Sequence, residues 1–304
     1  MNSTATNEKV GRRRAFSRQD RLTLGAFIGV PTALHLILVW IPAIATIALS
    51  FTYWTGIHIS DIRWAGLANY HNIFFDTPVF WHALKDNVIW LAWFGLIATP
   101  LGMLLAYQID RQIRGHAFFQ TAYYIPVVLS LAVTGIIWNF MLRPDGFVNG
   151  LLGRDITDPI SFFGDDRWNL YVILIMASWR HIGYIMLLYL AGLKAIDPAL
   201  REAAALDGAT EWETFKRIIL PTMRPVNIIV LVITIIESLR AFDIVYIIYG
   251  TSGAQVPILG TLVFQNISGE GQSMKGAAYA TILFVLSIGP IIAYLRTTFK
   301  EDVK

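Results

Sequence analysis

Four ionisable residues interrupt long apolar stretches of the sequence and could form a buried polar site. Arg180 lies in one stretch, and Glu237, Arg240 and Asp243 lie three residues apart in another. Residues at this spacing share roughly one face of a helix. Guanidinium and carboxylate groups can pair with one another, or they can bind the hydroxyl groups of a solute. The sequence leaves open whether these residues form an internal network of ion pairs or line a path for a solute.

A second candidate for chemistry is the segment Gly250–Gly253, which reads Gly-Thr-Ser-Gly. This GxSG pattern is similar to the nucleophile motif of rhomboid-type intramembrane serine proteases. Such an enzyme needs a histidine base on a later helix, within hydrogen-bond reach of the serine. No histidine follows His181. We therefore interpret the motif as a turn, and a rhomboid-like protease as the weaker alternative.

The segment 196–225 carries a denser pattern of helix signals. Asp197 precedes a proline and predicts the start of a short helix, and Gly208 predicts a turn after it. Thr210 and Glu213 fit a capping box for a second helix. The sequence therefore predicts a helical hairpin that docks onto another protein; an amphipathic hairpin lying on a membrane surface is the alternative.

The composition identifies the environment of these residues. Of the 304 residues, 55% are apolar and 15% are charged, and the mean hydropathy is +0.54. Soluble domains have about 25% charged residues, so the composition predicts a membrane protein in contact with lipid. The absence of cysteine excludes disulfides and thiolate metal sites. The six histidines lack metal-binding spacing, so we expect no metal site, and a net charge of +3 does not favour nucleic-acid binding.

Six stretches are long enough to cross a membrane, since a transmembrane helix needs about 20 residues. The predicted spans are residues 24–51, 86–109, 117–142, 168–193, 225–249 and 276–296. They form a membrane domain of residues 22–298, with tails at 1–21 and 299–304. The predicted fold is therefore all-α: a polytopic membrane protein with six transmembrane helices and the hairpin 196–225 between the fourth and fifth.

The distribution of basic residues predicts the orientation of these spans. Sixteen of the 24 Lys and Arg residues fall in the two termini and the second and fourth connections. Six fall in the other connections, and Arg180 and Arg240 fall within spans. Because cytoplasmic segments carry the excess of Lys and Arg, both termini are predicted to be cytoplasmic.

The hairpin also contains a motif of fixed spacing, E-A-A-x3-G-x9-I-x-L-P. Its members are Glu202, Ala203, Ala204, Gly208, Ile218, Leu220 and Pro221. This is the EAA loop, and the chain resembles the membrane permeases of binding-protein-dependent ABC importers over about residues 22–298. Further residues resemble the carbohydrate importers, particularly a maltose-importer-type subunit. They are Gly66, Leu67, Asn69, Tyr70, Phe242, Asp243 and Tyr246.

The resemblance implies a transport subunit of a bacterial or archaeal cell membrane, not an enzyme. Its partners would be a second homologous permease, a cytoplasmic ATPase dimer and an extracytoplasmic solute-binding protein that delivers a sugar or oligosaccharide. In the family the EAA loop inserts into a cleft on the ATPase, which implies an ATPase-coupling role for the motif residues and Phe215. This chain would hold no cofactor, because ATP and Mg²⁺ bind to the partner ATPase. Consistently, no lysine follows a glycine, as a phosphate-binding P-loop requires.

The resemblance also implies a sugar pocket near the middle of the membrane, on spans four and five. The implied substrate-pathway residues are Arg180, His181, Tyr184, Thr234, Glu237, Ser238 and Arg240. The charge of Arg180 departs from the commoner neutral residues of the family, and His181 could equally be a packing residue. An ATP-independent carrier or channel is the remaining alternative, but neither would need a docking loop.

Overall fold

The computed structural model describes residues 17–54, 58–112, 114–154, 157–250, 255–268 and 273–301. Of the predicted tails, 1–21 and 299–304, residues 1–16 and 302–304 lie outside the described residues. The helices are α1 (Arg18–His35), α2 (Ile41–Leu49), α3 (Ala68–His71), α4 (Pro78–Trp93), α5 (Thr99–Asp110), α6 (His116–Val128), α7 (Leu131–Leu142), α8 (Phe147–Leu151), α9 (Asn169–Lys194), α10 (Pro198–Leu206), α11 (Glu211–Thr214), α12 (Leu220–Thr222), α13 (Arg224–Leu239), α14 (Asp243–Tyr249), α15 (Leu259–Ser268) and α16 (Ser273–Glu301).

Shorter elements connect these helices. Four π-helical segments are Leu36–Trp40, Asn72–Asp76, Phe94–Ala98 and Phe215–Ile219, and one 3-10 turn is Ile59–Asp61. Strands β1 (Thr52–Tyr53) and β2 (Arg63–Trp64) form a small antiparallel pair with Thr52 opposite Trp64. The buried amide of Asn69 donates to the carbonyl oxygens of Ser50 and Thr52 at 2.9 and 3.0 Å. Asn69 therefore fixes the connection after the first span.

The chain forms two compact units, the first ending at Ala48 and the second beginning at Leu49. In the first unit, helix α1 begins at Arg18, six residues before the predicted span. Ser17 and Asp20 form a capping box, with hydrogen bonds of 2.9 and 3.0 Å. Since these bonds satisfy amides that a helix start leaves free, helix α1 can begin on the polar side of the apolar run.

Helix α9 is the central element of the second unit. It packs along α5 and contacts α6, α13 and α14. Small residues permit these close approaches: Gly102 lies against Ile185, and Gly183 lies against the backbone of Tyr123. Most of one face of α9 is fully buried, including Ile173, Met176 and Met186. The positions of functional residues on α9 are therefore fixed along most of its length.

Four helical segments among the described residues are long and apolar enough to cross a membrane. They are Arg18–Leu49, Pro78–Asp110, Asn169–Lys194 and Met274–Ile292. A fifth is obtained if the bent pair His116–Val128 and Leu131–Leu151 is one span. The prediction of six continuous spans differs from this arrangement at the third and fifth spans.

The third predicted span, 117–142, is divided by a bend of 104°. Leu129 is extended, and the Ser130 hydroxyl accepts a hydrogen bond of 3.2 Å from the Val133 amide. Serine in this position caps a new helix. The end of α6 and the start of α7 could not be predicted because the whole stretch is apolar.

The fifth predicted span, 225–249, is also two helices. Helix α13 ends at Leu239 and α14 begins at Asp243. The expectation that Glu237, Arg240 and Asp243 share one helix face is therefore wrong, because Arg240 and Phe242 lie in the break.

We expect Gly183→Ala to destabilise the folded chain by about 1–3 kcal/mol, the usual effect of overpacking. A Cβ atom at position 183 would overlap the carbonyl oxygen of Tyr123, and a backbone atom cannot rotate away. Gly95→Ala is the matched control, since its Cβ meets no atom within 4 Å. Thermal unfolding in detergent should separate the two variants; equal melting temperatures would contradict the packing assigned to α6 and α9.

Candidate functional site

A cavity of about 420 Å³ lies beside the break in the fifth predicted span. Its walls come from α4 and the following π-helical segment, from α6, α7 and α9, and from α13 and α14. The lining residues are Trp90, Phe94, Val127, Leu131, Thr134, Met176, Ala177, Arg180, His181, Tyr184, Glu237, Arg240, Ala241, Phe242, Asp243 and Ile244. Five of the seven predicted substrate-pathway residues are among them.

The charged residues of this lining are not paired with one another. Arg180, Glu237, Arg240 and Asp243 take part in none of the ion pairs within the described part of the chain. The alternative of an internal ion-pair network is therefore not realised in this conformation. The physical reason is the helix break, which separates residues that a continuous helix would align. Two cations and two anions instead face one cavity.

Four residues of the cavity wall have a buried polar atom with no hydrogen-bond partner among the described residues. The atoms are Trp90 Nε1, Thr134 Oγ1, Arg180 Nε and His181 Nε2. Buried polar atoms are hydrogen-bonded in the great majority of cases, so each exception needs an explanation. Here all four belong to residues that line the same cavity. A polar solute inside it could satisfy them once these side chains turn toward it.

Aromatic rings form part of the same wall. The ring of Phe94 stacks on that of His181, with centroids 4.1 Å apart, and Trp90 lies 5.9 Å from Phe94. The rings of Phe94 and Trp90 are both buried, so they hold His181 in place in the wall. Trp90, Phe94 and Thr134 were missed in the sequence because they lie in apolar stretches, and only their spatial convergence with α9 distinguishes them.

Thr234 and Ser238 lie outside the cavity lining, contrary to the sequence prediction. Both are buried. The Ser238 hydroxyl donates to the Thr234 carbonyl oxygen at 2.7 Å, and the Thr234 hydroxyl lies 3.2 Å from that of Thr99. These two residues therefore pack α13 internally and against α5.

Asn87 holds the broken helix in place. Its side-chain amide donates to the Ser238 carbonyl oxygen at 2.7 Å, and its side-chain oxygen accepts from the Leu259 amide at 2.8 Å. These groups lie at the end of α13 and the start of α15. Asn87 is 1% exposed, so water cannot replace it. This asparagine positions the segment that bears Arg240 and Asp243.

The predicted hairpin is present at the opposite end of α9. Helix α10 is capped by Asp197, whose carboxylate accepts from the Ala199 amide at 2.9 Å. Gly208 has a left-handed φ of 78° and forms the turn. Thr210 and Glu213 form the predicted capping box, and the hydrogen bonds from Thr210 hold the pKa of Glu213 below its usual value.

The motif residues divide between the two faces of this hairpin. Glu202, Ala203, Gly208 and Pro221 are exposed, whereas Ala204 is buried. Phe215, Ile218 and Leu220 are half-buried. Phe215 contacts Tyr107 on α5, with ring centroids 4.9 Å apart. Burial along the second half of the hairpin is therefore graded, because Ile219 is buried while Trp212 is 67% exposed.

The GxSG motif is described only in part. Gly250 has a left-handed φ of 62°, which suits the predicted turn. Thr251, Ser252 and Gly253 lie outside the described residues.

Residues 98–303 match the family described as binding-protein-dependent transport system inner membrane component. The chain belongs to this family. The matched region includes the whole hairpin and every cavity residue except Trp90 and Phe94. The chain is thus an inner-membrane permease component of a transport system, and this family is a transport family, not an enzyme family.

Individual relatives agree with this assignment. A probable ABC transporter permease of Pyrococcus horikoshii is 31% identical, covering 88% of this chain and 92% of its own. A xylose/arabinose import permease of Haloferax volcanii is 30% identical, covering 98% and 96%. A solved bacterial ABC transporter involved in alginate import has the same fold, with a TM-score of 0.77 at 23% identity over 91% of this permease and 96% of that chain.

We expect Asn87→Ala to destabilise the permease by about 1–3 kcal/mol for each buried backbone group left unpaired. The measurement is the unfolding temperature in detergent. Asn72→Ala is the control, since the Asn72 side chain forms long hydrogen bonds of 3.4 and 3.3 Å with Asp76 and Thr77, which lie close to it in sequence. If the two variants unfold at the same temperature, Asn87 does not hold the helix break in place.

Proposed function

We propose that this permease forms part of the path by which an ATP-driven importer moves a sugar or oligosaccharide into the cell. The observation that carries the proposal is the cavity with four unpaired buried polar atoms. The xylose/arabinose import permease of Haloferax volcanii, a relative of this chain, supports the sugar class.

The chemistry of the wall suits a sugar better than an ion or an apolar solute. Each sugar hydroxyl both donates and accepts hydrogen bonds. Arg180 and Arg240 supply donors, while the carboxylates of Glu237 and Asp243 supply acceptors. The half-buried rings of Tyr184 and Phe242 supply apolar surface for the C–H faces of a sugar. A balanced set of two cations and two anions favours no net charge on the solute.

The hairpin would transmit the energy of ATP hydrolysis to this cavity. Its exposed face carries Glu202, Leu206 and Trp212, and Leu206 is 89% exposed. Large apolar side chains that remain exposed in a cluster are typical of interaction surfaces. We infer that this face binds a cytoplasmic ATPase dimer, which holds ATP and Mg²⁺.

The rest of the assembly follows from this role. A second homologous permease would complete the path across the membrane, and an extracytoplasmic binding protein would deliver the sugar to it. The excess of Lys and Arg in alternate connections supports cytoplasmic termini.

We expect Arg180→Gln and Glu237→Gln to lower sugar uptake by about 10–100-fold, the effect of losing a hydrogen bond to a charged group worth 1.5–3 kcal/mol. The measurement is uptake of radiolabelled xylose, arabinose and maltose by cells that express the complete transporter. Arg154→Gln is the control, because Arg154 forms an exposed pair with Asp158 at 3.0 Å. Normal uptake in both cavity variants would show that the solute does not pass through this cavity.

We expect Glu202→Ala and Gly208→Val to abolish uptake without reducing the amount of permease in the membrane. Valine is strained at a φ of 78°, although no atom lies near its Cβ. Gly208→Asn should retain activity, since asparagine tolerates this conformation. ATPase and uptake assays on the reconstituted transporter distinguish the variants, and full coupling in Gly208→Val would argue against a role for the turn.

A further inference from the structure

We propose that Asp110 is a positioning residue that joins the coupling hairpin to α5 and α9, so that these three elements move as one body. This inference rests on the proposed function. It assigns a role to a junction that lies outside both the cavity and the EAA motif.

The junction consists of one buried carboxylate and two cations from different elements. Asp110 ends α5, and its side chain is 4% exposed. Lys194, at the end of α9, approaches Asp110 Oδ1 at 3.0 Å. Arg201, on α10 of the hairpin, donates to Asp110 Oδ2 at 2.6 Å. One side chain therefore joins the inner ends of two long helices to the hairpin.

The burial of Asp110 makes this junction different from the nearby surface contacts. A carboxylate out of water is strongly unfavourable unless cations and hydrogen bonds compensate it. Separating the hairpin from α5 would leave this charge partly uncompensated. By contrast, Arg111 and Glu211 form a 2.6 Å pair that is exposed on both sides, and such pairs contribute little to stability.

The sequence order on α10 connects the junction with the docking face. Arg201 points to Asp110, while the next residue, Glu202, is exposed. A displacement of the exposed face therefore moves Arg201 as well, and with it the junction. The contact of Phe215 with Tyr107 is a further tie between the hairpin and α5, besides the exposed Arg111–Glu211 pair.

Helix α9 extends from this junction to the cavity. Lys194 lies fourteen residues after Arg180 in one unbroken helix, which corresponds to about 21 Å at 1.5 Å per residue. Because α9 is packed along α5, the two helices would carry the displacement together to the wall that contains Arg180, His181 and Tyr184.

The absence of cysteine allows a reversible test of this junction. In the assembled transporter, Asp110→Cys/Arg201→Cys should lower uptake of labelled xylose, arabinose or maltose at least tenfold. Bridging the two thiols with a disulfide-linked cross-linker should restore uptake to within about threefold of the wild type, and reduction should abolish it again. Arg111→Cys/Glu211→Cys is the matched control and should remain active before and after bridging.

Two outcomes would overturn the proposal. If the unbridged Asp110→Cys/Arg201→Cys variant transports normally, the junction is not needed. If the bridged variant binds its ATPase but stays inactive, the junction must open during transport and the elements do not move as one body. Failure of the wild-type chain to transport any of the three sugars would instead count against the proposed function.

A distance measurement tests the same claim without a known sugar. It also remains possible if the double variant folds poorly. Spin labels at Leu104 and Lys216, both exposed, report the distance between α5 and the hairpin. This distance should be the same in nucleotide-free and vanadate-trapped transporter, and the milder Arg201→Gln should broaden it. A change between the two states in the otherwise wild-type chain would refute the single body.

Discussion

The lack of water inside a bilayer is the constraint on which this structure depends. Every backbone N–H and C=O group in the hydrocarbon region must find a partner within the protein. A break in a membrane helix is therefore possible only where side chains replace the missing helical bonds. Asn87 does so between Ser238 and Leu259. The break in turn allows Arg240 and Asp243 to face a cavity that an unbroken helix would not form.

The same constraint explains which features could be read from the sequence. The hairpin was predictable because Asp197, Gly208, Thr210 and Glu213 act on their immediate neighbours. Its spacing also matched a known motif residue by residue. The interruption of two apolar spans by Arg180 and Glu237 predicted that they lie at the same depth, and both line one cavity, although Glu237 is exposed.

The remaining features depend on residues that are distant in the sequence. Asn87 and Ser238 are 151 positions apart, and no local pattern connects them. Likewise, Thr234 and Ser238 looked suitable for a solute, but the structure turns their hydroxyls to partners within the packed helices. The bend after α6 depends on Ser130, whose capping role is hidden in an apolar run. Composition alone describes such residues poorly, because their roles depend on which helix they meet.

The π-helical segment Phe94–Ala98 has a consequence for the geometry of the whole bundle. Such a segment amounts to one extra residue within an α-helix, and one residue corresponds to a rotation of about 100° about the helix axis. Phe94, at its start, contacts His181, and Gly102, eight residues later, contacts Ile185, so both face α9. The single inserted residue thus keeps both halves of this helix in phase with α9. Within a lineage of such helices, loss or gain of one residue here would re-aim the cavity wall without changing any of the side chains that form it.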